Sequence, residues 1–262
     1  MLIPLLYQLL TAYQSGSNYT QATPTPPPSQ ISQTLTVSPA TTTPEPAVLG
    51  AHIGGESQVT SIALLGDSMI QTLGTDLLPL QKSLQKYFPN RQFDLMNFGM
   101  SSTTIEMAKS RLDEVIASAP DIIVVESFAY NNFGNTQAGI DRQWLALGAI
   151  TSTIKQKLPG TKIILATTIA PNSIVYGNGI SNLNLNAMDK IERTNTIKIY
   201  LQNLVNFAKS QGYPLADAYH LSLLNDQGMV TLISSTDHLH PSEAGKEVFC
   251  DTLADTIFNH LH

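Results

Sequence analysis

Ile62-Ala63-Leu64-Leu65-Gly66-Asp67-Ser68-Met69 is an apolar segment that runs directly into a Gly-Asp-Ser turn, and a helix-like pattern follows it. A strand that ends in such a turn exposes the serine at its carboxyl end, beside the free N–H groups that begin the next helix. The three residues alone are a weak signal, because an ordinary turn with Ser68 as a helix N-cap has the same sequence. The stretch therefore predicts a buried strand and makes Ser68 a candidate nucleophile.

Apolar runs of strand length alternate with longer helical patterns along the rest of the chain. The predicted strands are Val59–Leu65, Phe93–Phe98, Asp121–Ser127, Lys162–Thr168 and Pro214–Asp217. The predicted helices are Asp76–Tyr87, Thr103–Ser118, Gln137–Lys157, Asn184–Gln211 and Ser242–Asn259. The strand runs are continuous rather than alternating, which favours parallel strands that are covered on both faces. The pattern predicts an α/β fold: a doubly wound, flavodoxin-like three-layer α/β/α sandwich with a central parallel sheet of about five strands.

The N-terminal part of the chain has a different composition. Residues 1–13 are apolar but shorter than the roughly 20 residues that span a bilayer, and they lack a basic start and a cleavage site. They are interpreted as the remnant of an anchor, a poor signal peptide or an amphipathic helix. Residues 14–56 are rich in Pro, Thr and Ser, which predicts a disordered linker before a folded domain at 57–262. This layout favours an extracytoplasmic protein, secreted or tethered to a membrane; a cytoplasmic protein with a disordered tail is the alternative.

The charge balance limits the classes of partner. The formal net charge is −6 and the isoelectric point is about 5.4, whereas nucleic-acid binding and anionic-membrane binding favour a basic face. No nucleic-acid partner is expected. The single cysteine, Cys250, rules out an intrachain disulfide.

Polar residues follow each predicted strand, and parallel strands end at one edge of the sheet. Ser68 lies at this edge, and the loop that carries Asp237 and His240 precedes the last helix and can return to it. A serine needs a base, and the imidazole of His240 has a suitable ordinary pKa. Asp237 can accept from the other ring nitrogen and fix the tautomer. The three residues therefore permit nucleophilic acyl transfer.

Three groups at the same edge are candidates for holding a developing oxyanion. They are the N–H of Gly99, the side-chain amide of Asn131 and the N–H of Ser68. The loss of one such donor typically lowers turnover by about 10²–10³-fold.

Four sequence blocks in order resemble the SGNH/GDSL hydrolase family. They are Gly66-Asp67-Ser68, Asn97-Phe98-Gly99, Ala129-Tyr130-Asn131-Asn132 and Asp237-His238-Leu239-His240-Pro241. The resemblance covers most of residues 60–262. It implies a serine hydrolase with Ser68 as nucleophile, His240 as base, Asp237 as acid, and an oxyanion hole formed by Ser68, Gly99 and Asn131.

The chain departs from the family pattern at three positions. Ala129 replaces a glycine, Asn132 replaces an aspartate, and Ser102 stands where many relatives have a second glycine. Because Asn132 adjoins Asn131, it is the alternative donor, one residue further along the chain. Glu126, at the end of a predicted buried strand, is interpreted as a structural carboxyl group rather than part of the substrate pocket.

A metal site is not favoured. His238 and His240 flank one residue in a loop and point to opposite sides, and His220 does not complete a suitable set of ligands. No metal and no organic cofactor is expected.

The residues therefore indicate a serine esterase or acylhydrolase that cleaves acetyl esters of a small-molecule or carbohydrate-linked substrate. An O-acyltransferase that acts on a glycan would use the same triad, since the pocket chooses the acceptor. A catalytically silent binding module on a cell surface is an alternative of another class. The acyl group, the substrate-binding residues and the oligomeric state are not predicted.

Overall fold

The computed structural model describes residues 59–261. The strands of its main sheet are β1 (Thr60–Gly66), β2 (Phe93–Gly99), β3 (Ile122–Glu126), β4 (Lys162–Thr167) and β5 (Leu215–Asp217). All four pairings in this sheet are parallel, and the strand order is β2-β1-β3-β4-β5. The predicted three-layer sandwich with a five-stranded parallel sheet is confirmed.

Helices and two minor strands connect these five strands. The helices are α1 (Ser68–Gln71), α2 (Leu78–Tyr87), α3 (Ile105–Ala117), α4 (Gln137–Lys157), α5 (Ala187–Gln211), α6 (Ala218–Leu221) and α7 (Glu243–His260). Single 3₁₀ turns occur at Ala129–Asn131 and Val230–Leu232, and β6 (Leu223–Leu224) pairs antiparallel with β7 (Gln227–Gly228). The short elements α1, α6, β6 and β7 were not predicted as separate elements.

Capping residues explain why two helices begin later than predicted. The helix predicted from Asn184 begins at Ala187, because the side chain of Asn186 accepts from the N–H of Asp189 and that of Asp189 accepts from the N–H of Asn186. The helix predicted from Ser242 begins one residue later, because the Ser242 hydroxyl caps the N–H of Gly245.

The two faces of β1 contribute to two hydrophobic cores. Ile62 and Leu64 pack with residues of α2 and α7, such as Leu84 and Leu253. Ala63 and Leu65 point to the opposite face and pack with residues of α3, α4 and α5; examples are Leu112, Leu147 and Leu204. Successive side chains of a strand alternate between faces, so a strand without a polar residue is buried on both. This burial fixes β1 in the sheet and thereby fixes the position of the turn that follows it.

The predicted apolar segment at 1–13, the predicted linker at 14–56 and the predicted start of the domain at 57 all lie outside the described residues. The predictions of a membrane tether and of an extracytoplasmic location stay predictions. Within 59–261, no helix combines the length and apolar composition needed to cross a bilayer.

Candidate active site

The turn after β1 places Ser68 at the first residue of α1. Asp67 caps this helix, because its Oδ1 accepts from the N–H of Met69 at 2.8 Å. A Cβ atom on Gly66 would lie 2.2 Å from Cγ1 of Ile70, so only glycine lets the helix turn back so closely against the strand. Ser68 is 7% exposed, and its hydroxyl makes no hydrogen bond with residues 59–261. Fully buried side-chain oxygens in this part of the chain all have partners, so this hydroxyl faces open space.

Asp237 and His240 form the predicted contact. The Nδ1 atom of His240 lies 2.7 Å from Oδ2 of Asp237. The other carboxylate oxygen of Asp237 accepts from the N–H groups of Leu239 at 2.9 Å and His240 at 3.1 Å. Burial raises the pKa of Asp237, but the hydrogen bonds from His240 and Leu239 outweigh it, and the pKa lies below its ordinary value. Asp237 is thus a carboxylate that binds Nδ1 of His240, so Nε2 of the same ring stays available for another partner.

The loop that contains His240 faces the end of α1. Thr72, which directly follows α1, lines a cleft of about 460 Å³ together with Asp237 and His240. Burial is the largest effect on the pKa of Asp67 and raises it, whereas the charge interaction with His240 is one of the effects that lower it. The segment 172–184 packs against the other side of this loop, where His238 Nδ1 lies 2.8 Å from the carbonyl oxygen of Asn178. The fold therefore brings His240 to the neighbourhood of Ser68 and turns His238 away from it.

Asn131 rather than Asn132 contacts the Ser68 turn. Its Nδ2 donates to Oδ2 of Asp67 at 2.9 Å, which leaves a second N–H of the amide free. Asn132 is held within its own loop, because its Nδ2 donates to the carbonyl of Ala129 and its Oδ1 accepts from the N–H of Gly134. Of the two adjacent amides, Asn131 is therefore the one placed beside the candidate nucleophile.

Gly99 has a structural role that sequence reasoning did not find. Its N–H donates to Oδ1 of Asn97 at 2.8 Å, and the Nδ2 of Asn97 donates to the carbonyls of Ile70 and Gly74. A Cβ atom on Gly99 would lie 2.3 Å from the backbone nitrogen of Gln71. Gly99 thus lets α1 pack against β2. The oxyanion role predicted for its N–H stays a prediction, and it requires the bond to Asn97 to open.

Two buried ionisable side chains, those of Glu126 and Arg111, form hydrogen bonds with the backbone of the Ser68 turn. Both oxygens of Glu126 accept hydrogen bonds: Oε2 accepts from the N–H of Phe128 at 2.9 Å and from that of Asp67 at 3.5 Å, and Oε1 accepts from the Ser127 hydroxyl at 2.5 Å. Burial, and then the charge of Asp67, raise the pKa of Glu126 well above its ordinary value. Arg111 donates to the carbonyls of Gly66 and Phe98. The structural interpretation of Glu126 agrees with these contacts.

Sequence reasoning missed Arg111. It lies in the middle of α3 among apolar positions, and a basic residue on a buried face is the signal that could have found it. Its guanidinium group also donates to the hydroxyl of Thr103 at 3.0 Å. Arg111 therefore links the ends of β1 and β2 to the loop that follows β2.

A second Asp-x-x-His pair lies at the same edge of the sheet. The Nδ1 atom of His220 lies 2.7 Å from Oδ2 of Asp217, at the junction of β5 and α6. The side chain of His220 is 47% exposed, against 25% for His240. Within 59–261, no group of three or more His, Cys, Asp or Glu side chains is arranged to hold a metal ion.

Residues 64–248 match the model of the GDSL-like lipase/acylhydrolase family. The chain belongs to this family. This GDSL-family chain is therefore an ester hydrolase. The family resemblance that the four sequence blocks indicated is confirmed. The predicted roles of the individual site residues stay predictions, as the family match does not test them.

Solved structures of other hydrolases share the fold of the GDSL hydrolase. A lipase/acylhydrolase from Enterococcus faecalis matches with a TM-score of 0.55 and 20% identity, over 77% of this chain and 96% of the other. A catalytic mutant of an acetylxylan esterase from Geobacillus stearothermophilus matches with a TM-score of 0.54 and 18% identity, over 77% of this chain and 96% of the other. At these identities the likeness concerns the fold alone. None of the curated proteins compared with the chain matches it in sequence.

Proposed function

We propose that the GDSL hydrolase cleaves acetyl or other short-chain esters by a Ser68-His240-Asp237 triad. The observation that carries the proposal is the 2.7 Å contact between His240 Nδ1 and Asp237 Oδ2, in a loop that faces the helix begun by Ser68. This contact directs Nε2, the other ring nitrogen, to act as the base. The unpaired hydroxyl of Ser68 is the group that donates its proton to this base.

The reaction has two halves. Ser68 Oγ attacks the ester carbonyl carbon while its proton passes to Nε2 of His240, and the carbonyl oxygen becomes an oxyanion. The C–O bond to the alcohol then breaks, and His240 returns the proton to the leaving oxygen. In the second half, water attacks the acyl-serine, His240 takes the proton of the water, and the acid leaves as Ser68 Oγ regains its proton. Asp237 stabilises the imidazolium in both halves.

Two donors near Ser68 are suited to the oxyanion. The N–H of Ser68 is at the first residue of α1 and has no acceptor inside the helix. The second N–H of the Asn131 amide is free, while the first is fixed on Asp67. Asp67 therefore acts as a positioning residue, since its carboxylate orients Asn131 and its own backbone carries Ser68. Each donor is expected to contribute about 10²–10³ in turnover.

The test is hydrolysis of p-nitrophenyl acetate by Ser68→Ala. Turnover should fall by at least about 10³-fold, and the variant should not react with a fluorophosphonate probe. Ser118→Ala is the matched control, because this exposed serine lies after α3, at the opposite edge of the sheet. Wild-type turnover in Ser68→Ala, or labelling of both variants alike, would overturn the proposal.

A further inference from the structure

A polar cleft opens next to Asn131. It has a volume of about 690 Å³, within the range of about 300–1,000 Å³ that is usual for ligand sites. The loop after β3 forms one wall, and the first turns of α5 form the other. Its lining includes Asn131, Asn135, Tyr176, Glu192 and Arg193, and these residues define the Tyr176 cleft.

Tyr176 gives the cleft an unsatisfied polar group. The residue is 6% exposed, and its hydroxyl has no hydrogen-bond partner among residues 59–261. Since the fully buried side-chain oxygens of this region are all paired, the hydroxyl must point into the cleft. A mostly buried tyrosine whose hydroxyl lacks a protein partner is a group that a ligand or water must satisfy. Tyr130, by contrast, donates to the carbonyl of Ile169.

The rim of the cleft carries side chains that are also free of protein partners. The guanidinium group of Arg193, the carboxylate of Glu192 and the amide of Asn135 make no hydrogen bond or ion pair within the described part of the chain. Asp189, whose carboxylate accepts from the N–H of Asn186, lines the same cleft, so two carboxylates stand there with one guanidinium group. The cleft thus offers donors and acceptors side by side.

These polar groups determine which acyl or alcohol part of an ester can bind in the cleft. A long acyl chain would leave the Tyr176 hydroxyl without a partner and would desolvate Arg193 and Glu192, which is unfavourable. An anionic group would be opposed by the carboxylates of Asp189 and Glu192, and a cationic group by Arg193. An alcohol with several hydroxyl groups, each of which both donates and accepts, can form hydrogen bonds with all of these side chains. Leu185 and Ile197 line the same cleft and offer apolar contacts to the C–H groups of a sugar ring.

We propose that the Tyr176 cleft binds the sugar part of a carbohydrate ester whose carbonyl group reacts at Ser68. The inference rests on the proposed function and deepens it, because it assigns the substrate class and the residues that select it. Asn131 joins the two sites: it lines the cleft and its amide is bound to Asp67, the residue before the nucleophile. Tyr176, Arg193 and Glu192 are then specificity residues, and they act on binding of the alcohol rather than on the chemical step.

The experiment compares two kinds of substrate in the same enzyme. The sugar esters are 6-O-acetylglucose and partially acetylated xylo-oligosaccharides, and the reference ester is p-nitrophenyl acetate, which has no sugar. The measured quantity is the ratio of kcat/KM for the sugar ester to kcat/KM for the reference. Tyr176→Phe, which removes one oxygen, should lower this ratio about 3–10-fold. Arg193→Ala should lower this ratio by at least about 10-fold, because it raises KM for the sugar ester.

Asn195→Ala is the matched control on α5, because Asn195 is exposed on the same helix and does not line the cleft. Its ratio should equal that of the wild type. The inference is overturned if the wild type hydrolyses neither sugar ester, if it prefers p-nitrophenyl octanoate to p-nitrophenyl acetate, or if Tyr176→Phe and Arg193→Ala leave the ratio unchanged. Failure of the triad is distinguishable, because Ser68→Ala would then retain activity on every ester.

Discussion

Glu126→Gln is expected to change how the stability of the GDSL hydrolase depends on pH. The carboxyl group of Glu126 is fully buried, and the N–H of Phe128 donates to one of its oxygens at 2.9 Å. Burial and the charge of Asp67 raise its pKa well above the ordinary value of 4.5. Above pH 4.5 the folded protein therefore keeps a proton here at pH values at which the unfolded chain has released it. Glutamine mimics the protonated form, since it keeps one acceptor and replaces the second oxygen by a donor.

The sign follows from proton linkage. A raised pKa in the folded state gives stability that is fully present below pH 4.5 and is lost as the pH rises toward the folded-state pKa. Over that window the wild type loses about 1.4 kcal/mol of unfolding free energy per pH unit on account of this one group. Glu126→Gln has no such proton to lose. Its unfolding free energy, relative to the wild type, should rise as the pH rises above 4.5, by at most about 1.4 kcal/mol for each pH unit.

Urea unfolding at pH 5, 6 and 7 measures this difference. Asp67 and Glu126 interact, so the two carboxyl groups titrate as a pair and the comparison measures the effect of removing one member of that pair. Glu114→Gln, which removes a carboxylate from the exposed side of α3, controls for the loss of a charge. Parallel stability curves for Glu126→Gln and the wild type would refute the reasoning, because they would mean that Glu126 is already ionised in the folded state. A constant loss of about 1–3 kcal/mol at all three pH values would have the same meaning.

Three further predictions follow from single contacts. Asp237→Asn should lower kcat on p-nitrophenyl acetate by about 10⁴-fold, because His240 loses the carboxylate on Nδ1, whereas Asp217→Asn, which breaks an equal 2.7 Å contact elsewhere, should leave kcat unchanged. Gly99→Ala should lower the unfolding free energy by about 1–3 kcal/mol in urea, because the new Cβ would lie 2.3 Å from a backbone nitrogen of α1. Burial raises the pKa of Cys250 to about 12, so Ellman's reagent should modify this thiol in urea and leave the native protein unmodified; rapid native labelling would contradict this.

The sequence predicted the layers well because each rests on a local pattern. Continuous apolar runs mark strands that are buried on both faces, and such runs gave β1 to β5 within about two residues. The short helix α1 was not predicted as an element, since four residues carry no periodic pattern. It exists because Gly66 and Gly99 let its backbone approach β1 and β2 closely, which is a property of the packed structure.

The candidate site was predictable to the extent that its contacts are local. The Asp237–His240 contact joins residues three apart, so the spacing alone indicated it. Glu126 and Arg111 contact the Ser68 turn from other elements, and the residues next to them in the sequence do not indicate that they lie near that turn. The bond between Gly99 and Asn97 is local, but the conformation that allows it depends on the carbonyls of Ile70, in α1, and Gly74, after it, which accept from the Asn97 amide.

The duplicated Asp-x-x-His arrangement shows that local geometry does not by itself select a catalytic pair. Asp217 and His220 reproduce the 2.7 Å contact of Asp237 and His240, and both pairs lie at the carboxyl edge of the sheet. Their places in the sheet differ, since β5 lies three strands from β1, roughly 14 Å away. The nearest serine in sequence, Ser222, is fully buried and bonds to the backbone of Tyr219 and Ala170. A base needs an unpaired hydroxyl beside it: Ser68, after β1, is the one proposed for His240, whereas Ser222, beside His220, is already bonded.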